Sequence, residues 1–105
     1  MVERRQEIML NPDTHIVAAG ELLTGEFDAE AVILDLRDGV YYGLDGVGAR
    51  IWSLLQHPTA LRALRDALVA EYQVEPARCL ADLRELCGEL LRRGLIRIVG
   101  EDRVA

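Results

Sequence analysis

The 105 residues contain no lysine, one tryptophan, one phenylalanine, two histidines and two cysteines. Each scarcity excludes something. With 12 arginines as the whole basic complement against 18 acids, a net charge of −6, the chain lacks the cationic surplus that a sequence-independent grip on nucleic-acid phosphates requires. Arginine without lysine has a genomic explanation in GC-rich coding as well as a functional one, and decides nothing by itself. Uninterrupted apolar runs are short, Ala31 to Leu34 being typical, whereas a membrane-spanning helix needs about 20 apolar residues. No membrane segment is expected. Met1-Val2-Glu3-Arg4-Arg5 leads into further charge at Glu7 rather than into an apolar core and a small-residue cleavage site, so a secretory signal is not expected and the chain reads as cytoplasmic.

The scarce reactive residues are also badly placed for catalysis. His15 and His57 lie far apart in sequence with neither near a cysteine, and no Cys-x-x-Cys or His-x-x-x-His spacing occurs, so no metal centre is expected. Cys79 and Cys87 fall two turns apart on one expected helix, which separates their Cα atoms by about 12 Å. Bridged cysteines have Cα atoms within about 7 Å, so the pair reads as small packing residues rather than a disulfide. Gly46-Val47-Gly48 lacks the third glycine of a dinucleotide loop. Asp38 and Asp45 suit turns and caps. No catalytic set and no cofactor are expected.

What is present is one domain's worth of chain with an uneven charge. Residues 1–45 carry ten acids and three arginines, while residues 46–105 carry eight acids and nine arginines. Asn11-Pro12-Asp13 is turn-prone, so residues 1–14 read as a flexible segment, residues 15–99 as the folded domain and residues 100–105 as a tail. His15 to Ala19 is a short β-prone run. A polar connection through Gly25-Glu26-Phe27-Asp28 leads to the strongest strand, Ala31 to Leu36. Arg37-Asp38-Gly39 then turns the chain into Val40-Tyr41-Tyr42-Gly43-Leu44, since Asp-Gly between β-prone runs signals a hairpin.

After Leu44 the apolar period changes to about 3.6. Asp45 is a candidate N-cap for a helix over 47–55 carrying Val47, Ile51, Leu54 and Leu55, which His57-Pro58 ends. Thr59 is a candidate cap for a second helix to Tyr72, with Leu61, Leu64, Leu68 and Tyr72 forming its apolar stripe. Pro76 opens a third helix that runs to Arg93 and stops at Gly94. Leu95 to Val99 alternates weakly, as a last strand or an extended tail. The fold class expected is α+β, a three-stranded antiparallel sheet followed by a three-helix bundle.

Two features stand out for binding. In the third helix, Cys79, Leu83, Leu86 and Leu90 form one apolar line and Leu80, Cys87 and Leu91 another, spanning about 140° together at about 100° per residue, more than a usual core stripe. One line suits the core and the other a groove, although a central position in a small core accounts for both. The strand Val40 to Leu44 has an unpaired side if the sheet is a simple meander, with Val40, Tyr42 and Leu44 on one face and Tyr41 and Gly43 on the other. Exposed edges accept added strands.

The run Val32-Ile33-Leu34-Asp35-Leu36-Arg37-Asp38-Gly39-Val40-Tyr41-Tyr42-Gly43-Leu44, followed by Gly48-Ala49-Arg50-Ile51-Trp52, resembles the PqqD family: an apolar strand, a glycine turn, an aromatic strand ending in leucine, and Gly-Ala-x-x-Trp opening a helix. Leu61 to Tyr72 and Val74-Glu75-Pro76 through Gly94-Leu95-Ile96 resemble that family's second and third helices. The resemblance implies a winged helix-turn-helix-like fold. It also implies a recognition element for ribosomally made, modified peptides, with a precursor's leader docking as an antiparallel strand on the third strand, against the third helix. Tyr-Tyr-Gly-Leu and Gly-Ala-Arg-Ile-Trp are most similar to the stand-alone leader-binding proteins of lasso peptide pathways, whose partners are a separate cysteine protease that removes the leader and then a cyclase.

On that resemblance the docking edge is Val40, Tyr41, Tyr42, Gly43 and Leu44, and the opposite wall is Cys79, Leu80, Leu83, Arg84 and Cys87, with Arg84 placed to meet a leader carboxylate. Leu83→Asp is then expected to weaken binding without unfolding the domain. The protein is expected to be no enzyme, to bind neither nucleic acid nor membrane, and to act as a monomer or weak homodimer. The alternatives are a PqqD-like chaperone handing a peptide to a radical-SAM maturase, a winged-helix DNA-binding protein, and a small cysteine hydrolase.

Overall fold

The computed structural model describes residues 10–99. Its elements in chain order are β1 (His15–Ala18), β2 (Leu22–Phe27), β3 (Glu30–Asp35), β4 (Val40–Asp45), α1 (Gly46–Leu54), β5 (Thr59–Ala60), α2 (Leu61–Tyr72), α3 (Pro76–Arg92) and β6 (Ile96–Ile98). These make a mixed α+β domain with three helices and two antiparallel sheets, ordered β2-β3-β4 and β5-β1-β6.

The hairpin of β3 and β4 forms as its sequence requires. Gly39 takes φ +75°, a conformation open to glycine without a Cβ clash, and the Val40 N–H donates to Asp38 Oδ1 at 3.1 Å. The pairing sets Ile33 opposite Tyr42 and Ala31 opposite Leu44. Ala31, Ile33 and Asp35 are buried, and their partners Tyr42 and Leu44 are half-buried while Tyr41 and Gly43 are exposed. The two-residue alternation of β4 is therefore the one read from sequence.

The first strand is placed differently. His15–Ala18 does not join the β3-β4 sheet but pairs with β5 and β6, and the third strand of the hairpin sheet is β2, a segment whose composition reads as a polar connection. Glycine and glutamate are poor strand formers. Here a full register from Leu22 opposite Asp35 to Phe27 opposite Glu30 overrides their preference, with the turn made by Asp28 at φ +57°. The start of order also moves. Leu10 is buried, and the Pro12 and Thr14 carbonyls accept from the Arg62 and Leu61 N–H groups at 2.9 and 3.0 Å. Residues 10–14 of the flexible segment expected over 1–14 are thus part of the folded domain; its residues 1–9 and the tail expected over 100–105 lie outside the described residues.

The helices have the expected extents, with two corrections at their starts. Asp45 occupies the N-cap position of α1, but its side chain makes no capping hydrogen bond. Thr59 belongs to β5 instead of capping α2; its hydroxyl donates to the carbonyls of Leu54 and His57, and Ala60 stands at the α2 N-cap. In α3, Pro76 stands in the first turn, the Glu75 carboxylate accepts from the Arg78 N–H at 2.8 Å, and Gly94 at φ +75° follows the helix end. The core sits between the two sheets and the helices, α1 packing on β3 and β4, α2 on α3 and β5, and α3 on β6, with Ile16 of β1 and Ile96 of β6 buried in it. Ile33, Ile51, Trp52, Leu55, Leu61, Leu64, Leu83 and Cys87 lie at its centre, and the Trp52 indole N–H donates to Thr24 Oγ1 on β2 at 3.2 Å.

Candidate functional site: a free sheet edge beside an apolar groove

Among the described residues β4 is hydrogen-bonded to β3 alone and forms one edge of its sheet. The polarity of that edge follows from the ladder. The Gly46 N–H donates to the Ala29 carbonyl at 3.1 Å, which makes that pair a hydrogen-bonded one, and hydrogen-bonded pairs alternate along an antiparallel ladder. The main-chain groups of Val40, Tyr42 and Leu44 therefore turn toward β3, and those of Tyr41, Gly43 and Asp45 turn toward the open edge. Gly43 adds no side chain, and nothing lies within 4 Å of where its Cβ would be.

The two ends of α3 fall at opposite ends of β4, its C-terminal end by Tyr42 and its first turns by Val47 just past Asp45, so the helix runs in the opposite sense to the strand. At one end the Arg93 guanidinium lies 5.9 Å from the centre of the Tyr42 ring. At the other end α1 and α3 border a cavity of about 760 Å³, walled by Val47, Ile51, Leu68, Tyr72, Val74, Cys79, Leu83 and Leu86, with Glu75, Arg78 and Asp82 also on its lining. The apolar walls with charges among them suit a large apolar side chain carried on a polar backbone.

The structure separates the residues assigned to the far wall. Cys79 and Leu83 do line the cavity, although both are buried, Leu83 at 2% exposure. Leu80, Arg84 and Cys87 are not in its lining. Arg84 Nε donates to the Leu10 carbonyl at 2.8 Å, so this side chain is tied to the segment ahead of β1 rather than turned to the cavity. Cys87 is fully buried. The groove-facing line is the other one, and it includes Leu86. Leu86 shares the helical line of Cys79 and Leu83, a signal present in the sequence; Val47 and Tyr72 are displayed at the cavity because neither reaches the core from its helix, at 42% and 43% exposure.

Burial also tunes the two thiols. It raises the pKa of Cys79 and pushes that of Cys87 up to about 12, opposite to the depression that a nucleophilic thiolate needs. Among the described residues no cluster of histidine, cysteine or carboxylate side chains could hold a metal ion, and no helix is long and apolar enough to cross a membrane.

The far end of the groove is held by charge. Asp35, the one buried charged residue among those described, accepts from Arg37 Nε and NH2, both at 2.8 Å, and from the Arg37 N–H at 3.0 Å. The same NH2 donates to the Gly94 carbonyl at 2.7 Å. The hydrogen bonds from the Arg37 side chain, opposed by burial, hold the Asp35 carboxyl below its ordinary range. A carboxyl whose pKa is depressed by folding contributes stability that is present above its unfolded value, about 4, and is lost as pH falls through the folded value. The melting temperature of Asp35→Asn is accordingly expected to vary less than that of the parent below about pH 4, as followed by circular dichroism from pH 2 to 6; parallel curves would remove Asp35 from the acid transition.

Residues 30–96 match the family model described as coenzyme PQQ synthesis protein D (PqqD). Among solved structures, the chain is similar to one titled TbiB1 in complex with the TbiA(beta) leader peptide, at 36% identity and a TM-score of 0.73, covering 80% of this chain and 95% of that one. It is also similar to a lasso peptide synthetase B1 complexed with the leader peptide, at 26% identity and a TM-score of 0.70, covering 78% and 96%. No curated protein matches.

Proposed function

Because the chain belongs to the PqqD family, we propose that it binds the leader of a ribosomally synthesised precursor peptide as an added strand on β4, in the groove against α3. It then presents that peptide to a separate processing enzyme, the cysteine-protease leader peptidase of a lasso peptide pathway, with the cyclase acting afterwards in the cytoplasm. The observation that carries this reading is the open edge of β4, which leads at its Asp45 end into the helix that borders the apolar cavity. Main-chain hydrogen bonds to an edge supply affinity for any extended peptide, and pockets beside it select side chains. The two similar structures, each a complex with a leader peptide, support the same occupant. In this reading the protein makes and breaks no covalent bond, and its partners are peptide and enzyme.

The domain is then a winged-helix-like scaffold whose β3-β4 wing takes a peptide. DNA binding through α3 has little to draw on, since Arg84 is engaged with Leu10 and both Arg92 and Arg93 are paired with Glu89.

Gly43→Pro tests the proposal at the edge itself. Proline is tolerated on an edge strand where its missing N–H faces outward, so the β3-β4 ladder is retained while a donor to the added strand is removed. With a fluorescein-labelled synthetic peptide carrying a lasso precursor's leader, the TbiA(beta) leader bound in the similar structure being the first to try, the parent is expected to bind at micromolar or tighter dissociation constant. Gly43→Pro is expected to bind about tenfold more weakly or worse, from one lost hydrogen bond and the ring's bulk at the interface. Equal affinities would place the peptide elsewhere.

A further inference from the structure

The two walls of the groove are connected very differently at their two ends. At the Asp45 end β4 continues directly into α1, which borders the cavity together with α3, so chain connectivity and core packing set the gap. At the hairpin end the chain runs from β4 to α3 only by way of α1 and α2. There the direct ties from the hairpin to the end of α3 are made by side chains, the Arg37 to Gly94 hydrogen bond and the Arg93 contact with Tyr42, while the β1-β2 linker links the two through backbone hydrogen bonds from Ala19 to Leu95 and from Leu36 to Glu21.

Arg37 makes that tie stiff. Its guanidinium is oriented by two hydrogen bonds to a carboxylate that is itself buried at the end of β3, and a planar fork held on both oxygens has little freedom left. The third hydrogen bond then reaches a carbonyl just past the C-terminus of α3. Gly94 accommodates it closely: a Cβ there would lie 3.3 Å from the Arg37 NH2 atom. An added strand must sit about 4.8 Å from β4, so a drift of the hairpin relative to α3 narrows or widens the slot for the peptide.

We infer that Asp35 and Arg37 are positioning residues for peptide binding: the clasp from the β3-β4 hairpin to Gly94 sets the width of the groove at its hairpin end. The inference rests on the leader-binding reading above and deepens it. It also assigns a direction to the effect, because a peptide antiparallel to β4 has its C-terminal part at the hairpin and its N-terminal part at the cavity.

The experiment uses the same labelled leader peptide and a second version lacking its C-terminal part, titrated by fluorescence anisotropy against the parent, Arg37→Gln, Asp35→Asn and the double variant. Folding is checked by the emission of Trp52, the sole tryptophan, well below each melting temperature. Arg37→Gln and Asp35→Asn are each expected to bind the full leader about tenfold more weakly, on the scale of a hydrogen bond to a charged group. The double variant is expected to be no weaker than either single one, since both remove one unit. On the shortened peptide all four proteins are expected to bind alike. Should Arg37→Gln fail to fold, Gly94→Ala disturbs the clasp from the α3 side and takes its place.

Equal binding of the full leader by parent and variants overturns the inference and leaves leader binding intact. The same loss on both peptides overturns it as well, because a merely structural role has no preference for one end of the ligand. A parent that binds neither peptide removes the leader-binding reading and the inference with it.

Discussion

Leu83→Asp is expected to unfold the domain at ambient temperature, rather than to weaken peptide binding in a folded protein as the helical pattern alone suggests. Leu83 borders the cavity, yet it is 2% exposed and belongs to the central core cluster. Removing a buried leucine side chain forfeits about 2–3 kcal/mol of transfer free energy. A carboxylate in its place adds a desolvation penalty of several kcal/mol unless it takes up a proton. Set against a total stability of about 5–15 kcal/mol for an ordinary domain, the two together leave little or no folded protein. Far-UV circular dichroism on heating checks this directly. A cooperative melt within a few degrees of the parent would show that the position tolerates charge and opens to the groove.

Val47→Asp is expected to have the complementary effect, with binding lost and folding kept. Val47 is 42% exposed on the cavity wall, in the first turn of α1, where no acidic residue stands. An acidic side chain near a helix N-terminus interacts favourably with the exposed N–H groups there, by about 0.3–1 kcal/mol. The melting temperature should therefore hold or rise. When an apolar leader side chain closes over the cavity, that carboxylate loses its water while Arg78, the cation on the lining, is already shared with Asp82, and the dissociation constant is expected to rise about 30-fold or more, equivalent to about 2 kcal/mol. Anisotropy titration with the labelled leader, paired with the melt, gives both readings. Unchanged affinity at unchanged stability would mean that the cavity is no part of the peptide's path.

These two substitutions show where local pattern stops being informative. Leu83 and Val47 are both apolar residues at helical spacing, and nothing in their neighbours along the chain tells that one is sealed and the other displayed. The same limit applies to α3 as a whole. Two apolar lines were legible, but which of them borders the groove depends on Leu10 being buried and its carbonyl taking the Arg84 hydrogen bond, a contact across 74 positions. The β2 strand was illegible because Gly25 and Glu26 disguise it, and its pairing with β3 supplies what their propensities do not. The clasp was illegible because Arg37 and Gly94 each suit a turn on their own terms.

By itself the amino-acid sequence determined the β3-β4 hairpin, its alternation of inward and outward residues, the three helices and where they stop, and the family resemblance that points to a peptide as ligand. Turn chemistry and apolar period act over a few residues, so they can be read without knowing what packs where. Only the tertiary structure decided which strand completes the sheet, which line of α3 borders the cavity, which cavity residues are accessible, and how Asp35 and Arg37 fasten the hairpin to the end of α3. Those outcomes rest on which segments cover one another's apolar faces, and an apolar arc of about 140° on one helix does not specify its cover until the rest of the chain is folded against it.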